Sequence, residues 1–423
     1  MSLLTYMRRK LRIDQPGGWT WAGGGSWAGE AVSVDTAMQL SAFWACVRMI
    51  AETVATLPVQ VLETAPNGDK IARQDHELYG LLHDSPNADQ TAVEFIEGLF
   101  LALLTHGNGY AEKVYSGDRL IALQPLDAAA MVLHRDRGDG ELRYRFTDRG
   151  QAYDLPADRV FHLKGFGAGG DLGLSPVAFA RQTLGIAIAT EKAAGSTFAN
   201  GMRGSGFFRF PKSLTEPQFE QARKNYVEPY NGAAATGKAG ILDNGVEFVP
   251  VNLPPKDAEM LLSRRFNVEE IARWFGLPPI LIGHSGDGVT AWGTGIEALM
   301  IGWLTTGLRR YLVRFEQAAR KRLITPAERG RISIEFNVEG LLRGDSVSRA
   351  AFIGAMVQNG IYSRNRGRAL ENLPRDPDPM ADALTVQVNL TPLSQLGQSS
   401  PANDAASALK TLLGLDKETA SNG

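Results

Sequence analysis

The sequence of 423 residues contains one cysteine, Cys46. A single thiol excludes an intrachain disulfide and a zinc site built from cysteines, and it fits a reducing compartment. No run of about 18 apolar residues is present, so we expect no membrane-spanning helix. The first twelve residues, MSLLTYMRRKLR, place a short apolar run before the basic residues, which is the reverse of a secretory signal. The sequence therefore predicts a protein that has no membrane partner and is not secreted.

A large excess of charge of one sign is also missing. The 44 basic residues nearly balance the 46 acidic ones, and the net charge is −2. The chain therefore has no net positive charge that would bind nucleic acid or anionic lipid tightly. The hydrophobic share of 44% and the charged share of 21% are typical of a globular protein, and the length suits two or three domains.

Apolar periodicity predicts a mixed α+β region in the first half of the chain, with helices beside a mainly antiparallel sheet. Helices are expected at 41–56 and 92–105, with Thr91 as the N-cap of the second. Strands are expected at 110–115, 120–124, 131–134, 142–147 and 160–163. Later helices are expected at about 176–200, from Thr215, at 346–359 and at 362–372. Residues 14–30 are rich in glycine and carry three tryptophans, so we interpret them as an arm that becomes ordered on a neighbouring subunit.

Residues 254–323 read as two helices joined by a glycine-rich connector, which predicts a helical hairpin. The first helix ends at Gly276, before a pair of prolines. The second helix carries one apolar stripe and, on the other half of its surface, a basic face. The stripe consists of Leu304, Leu308, Leu312 and Phe315, and the basic face includes Arg309, Arg310 and Arg314.

Enzymatic motifs are present only in incomplete form. Residues 232–239, GAAATGKA, match a phosphate-binding loop except at Ala239, which lacks the hydroxyl that binds Mg²⁺. His76 and Glu77 begin a metalloprotease pattern, but Gly80 occupies the place of the second histidine. We therefore expect no catalytic site, no metal and no cofactor. A P-loop NTPase that uses Lys238 stays open as the alternative.

Several runs resemble, in the same order, the portal proteins of tailed double-stranded-DNA bacteriophages. The resembling runs are SAFWACVRMIAETVATLPVQVLE at 41–63, LLTHGNGYAE at 103–112, LQPLD at 123–127, GLSPVAFAR at 173–181, FANG at 198–201 and EEIARWFGLPPILIG at 269–283. Each run alone is a weak signal, but six of them in the family's order make a strong one. The sequence departs from the family at 365–368, where Asn-Arg-Gly-Arg replaces an Asn-Glu-x-x-Arg-like signature.

The resemblance implies a portal-type fold and a ring of twelve subunits around a DNA tunnel. It implies these segments: an N-terminal arm (1–31), a mixed α/β wing (32–253), stem helix 1 (254–276), a short clip (277–295), stem helix 2 (296–325), a tunnel loop and helix that return to the wing (326–360), a helical crown (361–395) and a flexible tail (396–423). The expected partners are double-stranded DNA bound without sequence preference, the major capsid protein, the large terminase and a head-tail adaptor. The expected location is the portal vertex of the virion, after assembly in the host bacterial cytoplasm.

Three groups of functional residues follow from the resemblance. The tunnel-lining candidates are Val338, Glu339, Leu341, Leu342 and Arg343, although burial of the two leucines under the sheet is an equal alternative. The stem basic face is Arg309, Arg310 and Arg314, which would face DNA or pair with Glu259, Glu269 or Glu270 of another subunit. The docking residues of the clip are Ile280, Leu281, Ile282, Gly283 and His284. The equivalent portal of a gene transfer agent or a defective prophage stays open as an alternative.

Overall fold

The computed structural model describes residues 25–136, 138–199, 206–211, 213–227, 246–250, 256–284, 294–338, 346–371 and 373–385, together with Leu409 and Leu412. The chain divides into two units, Met1–Gly340 and Leu341–Gly423. Helices and small antiparallel sheets both occur in the first unit, which confirms the predicted α+β class. None of the helices in the described ranges combines the length and the hydropathy that a bilayer span requires.

The helices of the first unit follow the predicted positions closely. They are α1 (Val34–Met38), α2 (Ser41–Ala55), α3 (Glu77–Tyr79), α4 (Ala92–His106), α5 (Pro176–Phe179), α6 (Arg181–Ala199), α7 (Glu216–Ala222), α8 (Lys256–Phe275), α9 (Thr294–Trp303) and α10 (Arg309–Arg322). A π-helical turn, Leu304–Leu308, joins α9 to α10. The helix predicted at 176–200 is divided at Ala180, between α5 and α6.

Within the described ranges the strands form four small sheets rather than the single sheet that was expected. They are β1 (Val59–Thr64), β2 (Lys70–Ala72), β3 (Asn108–Ser116), β4 (Arg119–Leu126), β5 (Val132–Arg135), β6 (Leu142–Asp148), β7 (Gln151–Pro156), β8 (Val160–Lys164), β9 (Gly206–Arg209), β10 (Glu247–Pro250) and β11 (Ile332–Phe336). The sheet orders are β11-β1-β2, β4-β3-β8, β5-β6-β7 and β10-β9. All the pairings are antiparallel. Short strands and tight turns keep the sheets small, and buried Tyr110, Tyr144 and Val160 pack together between two of them.

Helix α4 is followed directly by strand β3. Thr91 caps α4 with a capping box, as expected, because its hydroxyl accepts from the N–H of Glu94 and the Glu94 carboxylate accepts from the N–H of Thr91. Gly107 ends the helix in the left-handed region at φ 78°, and β3 begins at the next residue. A Cβ at Gly107 would lie 2.3 Å from the Leu174 carbonyl oxygen, so glycine is required there.

The core of the first unit is centred on Phe315 of α10. Its ring lies 5.1 Å from the ring of Phe336 at the end of β11, 5.8 Å from Phe161 of β8 and 6.2 Å from Phe100 of α4. Leu308 and Leu312 are buried on the same side of the helix, so the predicted apolar stripe is confirmed. Burial of this stripe fixes α10 against the strands β8 and β11.

The predicted helical hairpin needs a correction, because α8 packs along α6 and α2, whereas α10 packs on β8 and β11. Helices α6 and α8 run antiparallel. Trp274, near the end of α8, donates from Nε1 to the Thr183 hydroxyl near the start of α6, at 3.3 Å. Further along, Ala187 and Glu191 of α6 line the same cavity as Arg264 of α8. Small residues at α6 allow this close pairing, and proximity in sequence does not decide which helices pair.

The second unit contains α11 (Ser346–Gln358) and α12 (Arg364–Leu370). The two helices cross at Gly367, where a Cβ would lie 3.2 Å from the Ile353 side chain. Asn365, at the position where the sequence departs from the family signature, is buried. Its amide accepts from the N–H of Asp376 at 2.8 Å and donates to the Asp376 carbonyl at 3.1 Å. This asparagine therefore ties the following segment to α12 without an ion pair.

Candidate assembly and channel surfaces

The antiparallel pair of α6 and α8 extends away from the core of the first unit. The start of α6 and the end of α8 both lie beside Phe43 of α2, in a cluster with Leu184 and Phe275. The end of α6 and the start of α8 must therefore lie at the far end of the pair. Strand β9 follows α6 and strand β10 precedes α8, and the two pair with each other, with Phe208 opposite Phe248. The 200–255 segment thus connects the far ends of the two helices.

The predicted docking residues of the clip lie at the opposite end of α8. Residues Pro279–Ile282 form a 3₁₀ turn that contacts α2, and Ile280, Leu281 and Ile282 are each half-buried. Gly283 follows in the left-handed region, at φ 79°. His284 Nε2 lies 3.4 Å from the Glu269 carboxylate of α8. The first part of the connector is therefore folded back onto the core-side end of α8, while residues 285–293 lie outside the described part of the chain.

Two arginines of the predicted basic face bind backbone carbonyls of their own chain. Arg310 donates to the carbonyl of Phe275, the last residue of α8. Arg314 donates from Nη1 to the Gly165 carbonyl at 2.9 Å. Arg309 is exposed. Arg310 is exposed as well, whereas Arg314 is half-buried.

Two of the three carboxylates predicted to pair with the stem basic face have contacts within their own chain. Glu269 lies beside His284, and Glu270 forms an ion pair with Arg273 one helical turn away. The side chain of Glu259 lies outside the described residues. The predicted pairing of these groups between subunits stays a prediction.

The contact between Arg310 and the end of α8 requires a glycine. Gly276 has φ 63°, in the left-handed region, and a Cβ there would lie 2.2 Å from Arg310 Nη2. The Tyr311 hydroxyl also lies 3.4 Å from the Phe275 carbonyl oxygen. Since the last carbonyls of a helix have no partner within it, these side chains supply the donors that α8 lacks. The sequence offered a signal for the stop at Gly276 but none for the arginine that caps it.

The predicted tunnel loop leaves the core from a fixed point. Phe336, at the end of β11, is buried, and the N–H of Asn337 donates to the Pro58 carbonyl at 2.9 Å. Val338 is half-buried. The other tunnel-lining candidates, Glu339, Leu341, Leu342 and Arg343, lie outside the described residues.

A buried polar cluster holds together the strands β3, β6 and β8, and sequence reasoning missed it. His162 Nδ1 lies 3.1 Å from the Tyr144 hydroxyl, and Nε2 lies 3.0 Å from the Asn108 side-chain oxygen. That oxygen also accepts from the N–H of Gly173 at 2.7 Å. Burial lowers the pKa of His162 to about 3, so the ring is neutral at pH 7. The sequence signal for this cluster was a histidine inside a predicted strand, but the hydrogen-bond partners of His162 lie on other strands.

The incomplete enzymatic motifs do not form a site within the described residues. His76 Nδ1 accepts from the N–H of Leu78 at 3.1 Å and so caps α3. The loop around Lys238 lies outside the described residues. No group of three His, Cys, Asp or Glu side chains in the described ranges is arranged to hold a metal ion.

The fold has a counterpart among solved structures. The neck of a native gene transfer agent particle, computed with C12 symmetry, superimposes with a TM-score of 0.55, over 81% of this chain and 93% of that chain. At 24% identity this likeness shows the fold alone.

The family follows from the sequence comparisons. A family model described as Phage portal protein matches residues 41–372. The portal protein of Enterobacteria phage HK97 is 37% identical over 381 residues, which cover 89% of this chain and 88% of that protein. The probable portal protein of Streptomyces phage phiC31 is 31% identical over 380 residues, which cover 86% and 81%. The chain therefore belongs to the phage portal protein family.

Proposed function

We propose that the chain assembles into a ring of twelve at one vertex of a phage capsid, and that DNA enters and leaves through the ring during packaging and ejection. Family membership across residues 41–372 is the observation that carries this proposal. The shared fold with a neck structure computed with C12 symmetry supports the number of subunits. The same fold supports a location in the virion, at the portal vertex. Assembly in the host bacterial cytoplasm is part of the proposal.

The stem of the proposed ring is the antiparallel pair of α6 and α8. This keeps the sequence-based stem helix at 254–276 and replaces its partner at 296–325 by α6. The supporting observations are the direct packing of α6 on α8 and the burial of α10 between β8 and β11. Two helices that extend from the core can line a channel when identical copies surround an axis.

The docking surface for the terminase and the adaptor then has two candidates. Residues 200–255 join the far ends of the stem helices, and β9 and β10 pair there. The sequence-based candidate at 277–295 begins with Ile280–His284, which contact α2 and α8 instead of extending from them. We favour 200–255, because a surface that must meet successive partners has to project from the ring.

The tunnel loop, which the resemblance places at 336–345 within the segment 326–360, stays part of the proposal. Its anchor at Phe336 and Asn337 is firm, and the segment offers both an acidic and a basic residue, Glu339 and Arg343, around two leucines. A nearly neutral, apolar contact suits DNA that must slide in both directions, because phosphate binding by many basic groups would hold it in place. The near-zero net charge of the whole chain agrees with this requirement.

The protein in this proposal has no enzymatic activity, and a separate terminase hydrolyses ATP. The alternative of a P-loop NTPase predicts that the purified protein hydrolyses ATP and that Lys238→Ala abolishes the hydrolysis. A second alternative, the portal of a gene transfer agent, is consistent with the shared fold. Genes for a terminase, a protease and a capsid protein beside this one, with phage replication genes, would favour a phage.

Native mass spectrometry of the purified full-length protein tests the ring directly. We expect a species with the mass of twelve chains. A protein that stays monomeric at low and high salt and over a wide concentration range would contradict the proposal.

A further inference from the structure

A closed turn near the start of the described chain is seated on α6. The N–H of Ser26 donates to the Glu30 carbonyl at 2.9 Å, and the N–H of Gly29 donates to the Ser26 carbonyl at 2.9 Å. Ser26 is buried directly over Gly185 of α6, where a Cβ would lie 2.1 Å from its hydroxyl oxygen. Only glycine at 185 allows the turn to sit this close to the helix.

Two polar contacts, one on each side, hold the turn on α6, and the Trp27 side chain stays in solvent. The backbone N–H of Trp27 donates to the Gln182 side chain at 2.8 Å, and Lys192 Nζ lies 2.5 Å from the Glu30 carboxylate. The Trp27 side chain is 89% exposed. The folded turn fixes the backbone at Trp27, so binding through this side chain costs little further backbone entropy. Tryptophan is also one of the residue types that dominate protein interfaces.

An open cavity of about 540 Å³ lies on the other flank of α6, between α2 and α8. Its apolar and rim residues include Ala42, Ala187, Val268, Ile271, Glu191 and Arg264. The volume is more than an indole ring needs. An arginine at the rim also suits an aromatic occupant, because a guanidinium is attracted to the face of a tryptophan ring.

The turn and the cavity lie at nearly the same position along the axis of α6, on opposite sides of this helix. Gly185 contacts the turn and Ala187 lines the cavity. Two residues of an α-helix are about 200° apart around the axis and about 3 Å apart along it. A cyclic ring needs two different, complementary surfaces on opposite flanks of each subunit at matching heights. A projecting tryptophan and an apolar cavity meet this requirement.

We propose that Trp27 of one subunit inserts into the cavity between α2, α6 and α8 of the next subunit. This contact rests on the proposed ring of identical copies. It gives the glycine-rich N-terminal segment a defined role as a connection between neighbours. The indole loses its exposed surface, and the apolar floor of the cavity becomes covered.

Disulfide trapping tests the contact in the assembled protein. Trp27→Cys and Val268→Cys are combined in one chain, where the native Cys46 is fully buried and does not interfere. An intrachain bond is excluded, because a helix about 10 Å wide separates the two positions and a disulfide needs Cα atoms within about 7 Å. After oxidation we expect a ladder of covalent multimers on a non-reducing gel, and each single-cysteine variant should stay monomeric. Oxidised rings that give only monomer bands would overturn the proposal.

A second measurement compares Trp27→Ala with Val132→Ala, which also removes an exposed apolar side chain but from the β5-β6-β7 sheet. We expect the concentration that gives half-maximal ring formation to rise at least about tenfold for Trp27→Ala only, since buried tryptophans dominate interfaces. Both variants should keep the melting temperature of the monomer, because both side chains are exposed. Equal ring formation by the two variants would overturn the proposal. Absence of rings in the unmodified protein would instead contradict the ring itself.

Discussion

Arg310 of α10 donates a hydrogen bond to the carbonyl of Phe275, the last residue of α8. This contact joins a helix that is buried in the core to the helix that extends from it. Helix α10 is fixed by Phe315 and its aromatic neighbours, so the arginine transmits that rigidity to the base of the proposed stem. In a ring, every stem would be held at the same angle by the same contact.

We expect Arg310→Ala to lower the free energy of unfolding by about 1 kcal/mol, because the Phe275 carbonyl loses a charged donor at the end of its helix. Arg309→Ala is the matched control, since it removes a neighbouring exposed arginine and leaves the contact of Arg310 with Phe275 in place, and we expect a change below about 0.5 kcal/mol. Urea unfolding followed by circular dichroism measures both. Equal losses for the two variants would show that the cap does not stabilise α8.

The buried His162 predicts a loss of stability in acid. Its pKa in the folded protein, about 3, lies below the usual value of 6.5, so the unfolded chain takes up a proton first as the pH falls. The contribution of neutral His162 to the free energy of unfolding is complete above about pH 6.5. It decreases towards pH 3, by on the order of 4 kcal/mol in total.

The variant His162→Gln isolates this effect. We expect it to be less stable at pH 7, because the contacts with Tyr144 and Asn108 are disturbed, but less sensitive to pH between 6.5 and 4. Urea midpoints across this pH range measure the slope, and His83→Gln on the protein surface serves as the control. An unchanged slope in His162→Gln would contradict the assignment.

The proposed docking surface predicts a difference between two apolar-to-acidic substitutions. Phe219 of α7 is 55% exposed within 200–255, and Ile282 is half-buried in the connector after α8. We expect Phe219→Asp to weaken co-purification with the terminase or the adaptor at least about tenfold, while rings form normally. Ile282→Asp should lower the melting temperature more than it affects binding. If only Ile282→Asp lost the partner while its melting temperature was unchanged, the docking surface would be 277–295.

The tunnel loop predicts a defect in DNA handling without a defect in assembly. Replacing both Leu341 and Leu342 by aspartate adds two negative charges per subunit, and these would repel DNA phosphates in the channel. We expect rings to form at the normal level while packaged DNA per particle falls. Loss of the rings themselves would mean that the two leucines are core residues.

Local patterns predicted most of the helices, because the periodicity that identifies them also determines which face is buried. The stripe at Leu308, Leu312 and Phe315 and the cap at Thr91 are examples. The partner of α8 could not be predicted this way. The connector after Gly276 suggested the next helix, but the helix that packs along α8 is α6, which precedes it by more than fifty residues. Pairing between distant segments depends on shape and burial that no single segment contains, and β1 with β11 is a second case.

Strand β7 and the cap by Arg310 were missed for different reasons. The sequence QAYDLP of β7 contains an aspartate and a proline, which are rare in strands, and only its pairing with β6 makes it one. Arg310 lies on the polar half of a helix, where solvent exposure is the usual expectation. Its role becomes visible only when the end of α8 is placed beside it.

A cryo-electron microscopy reconstruction of the purified full-length protein tests the central claim most directly. The account predicts a closed ring of twelve subunits with a central channel, in which α6 and α8 of every subunit surround the axis and residues 200–255 form one end. A reconstruction without a channel, or a ring in which α6 and α8 face outward, would contradict it.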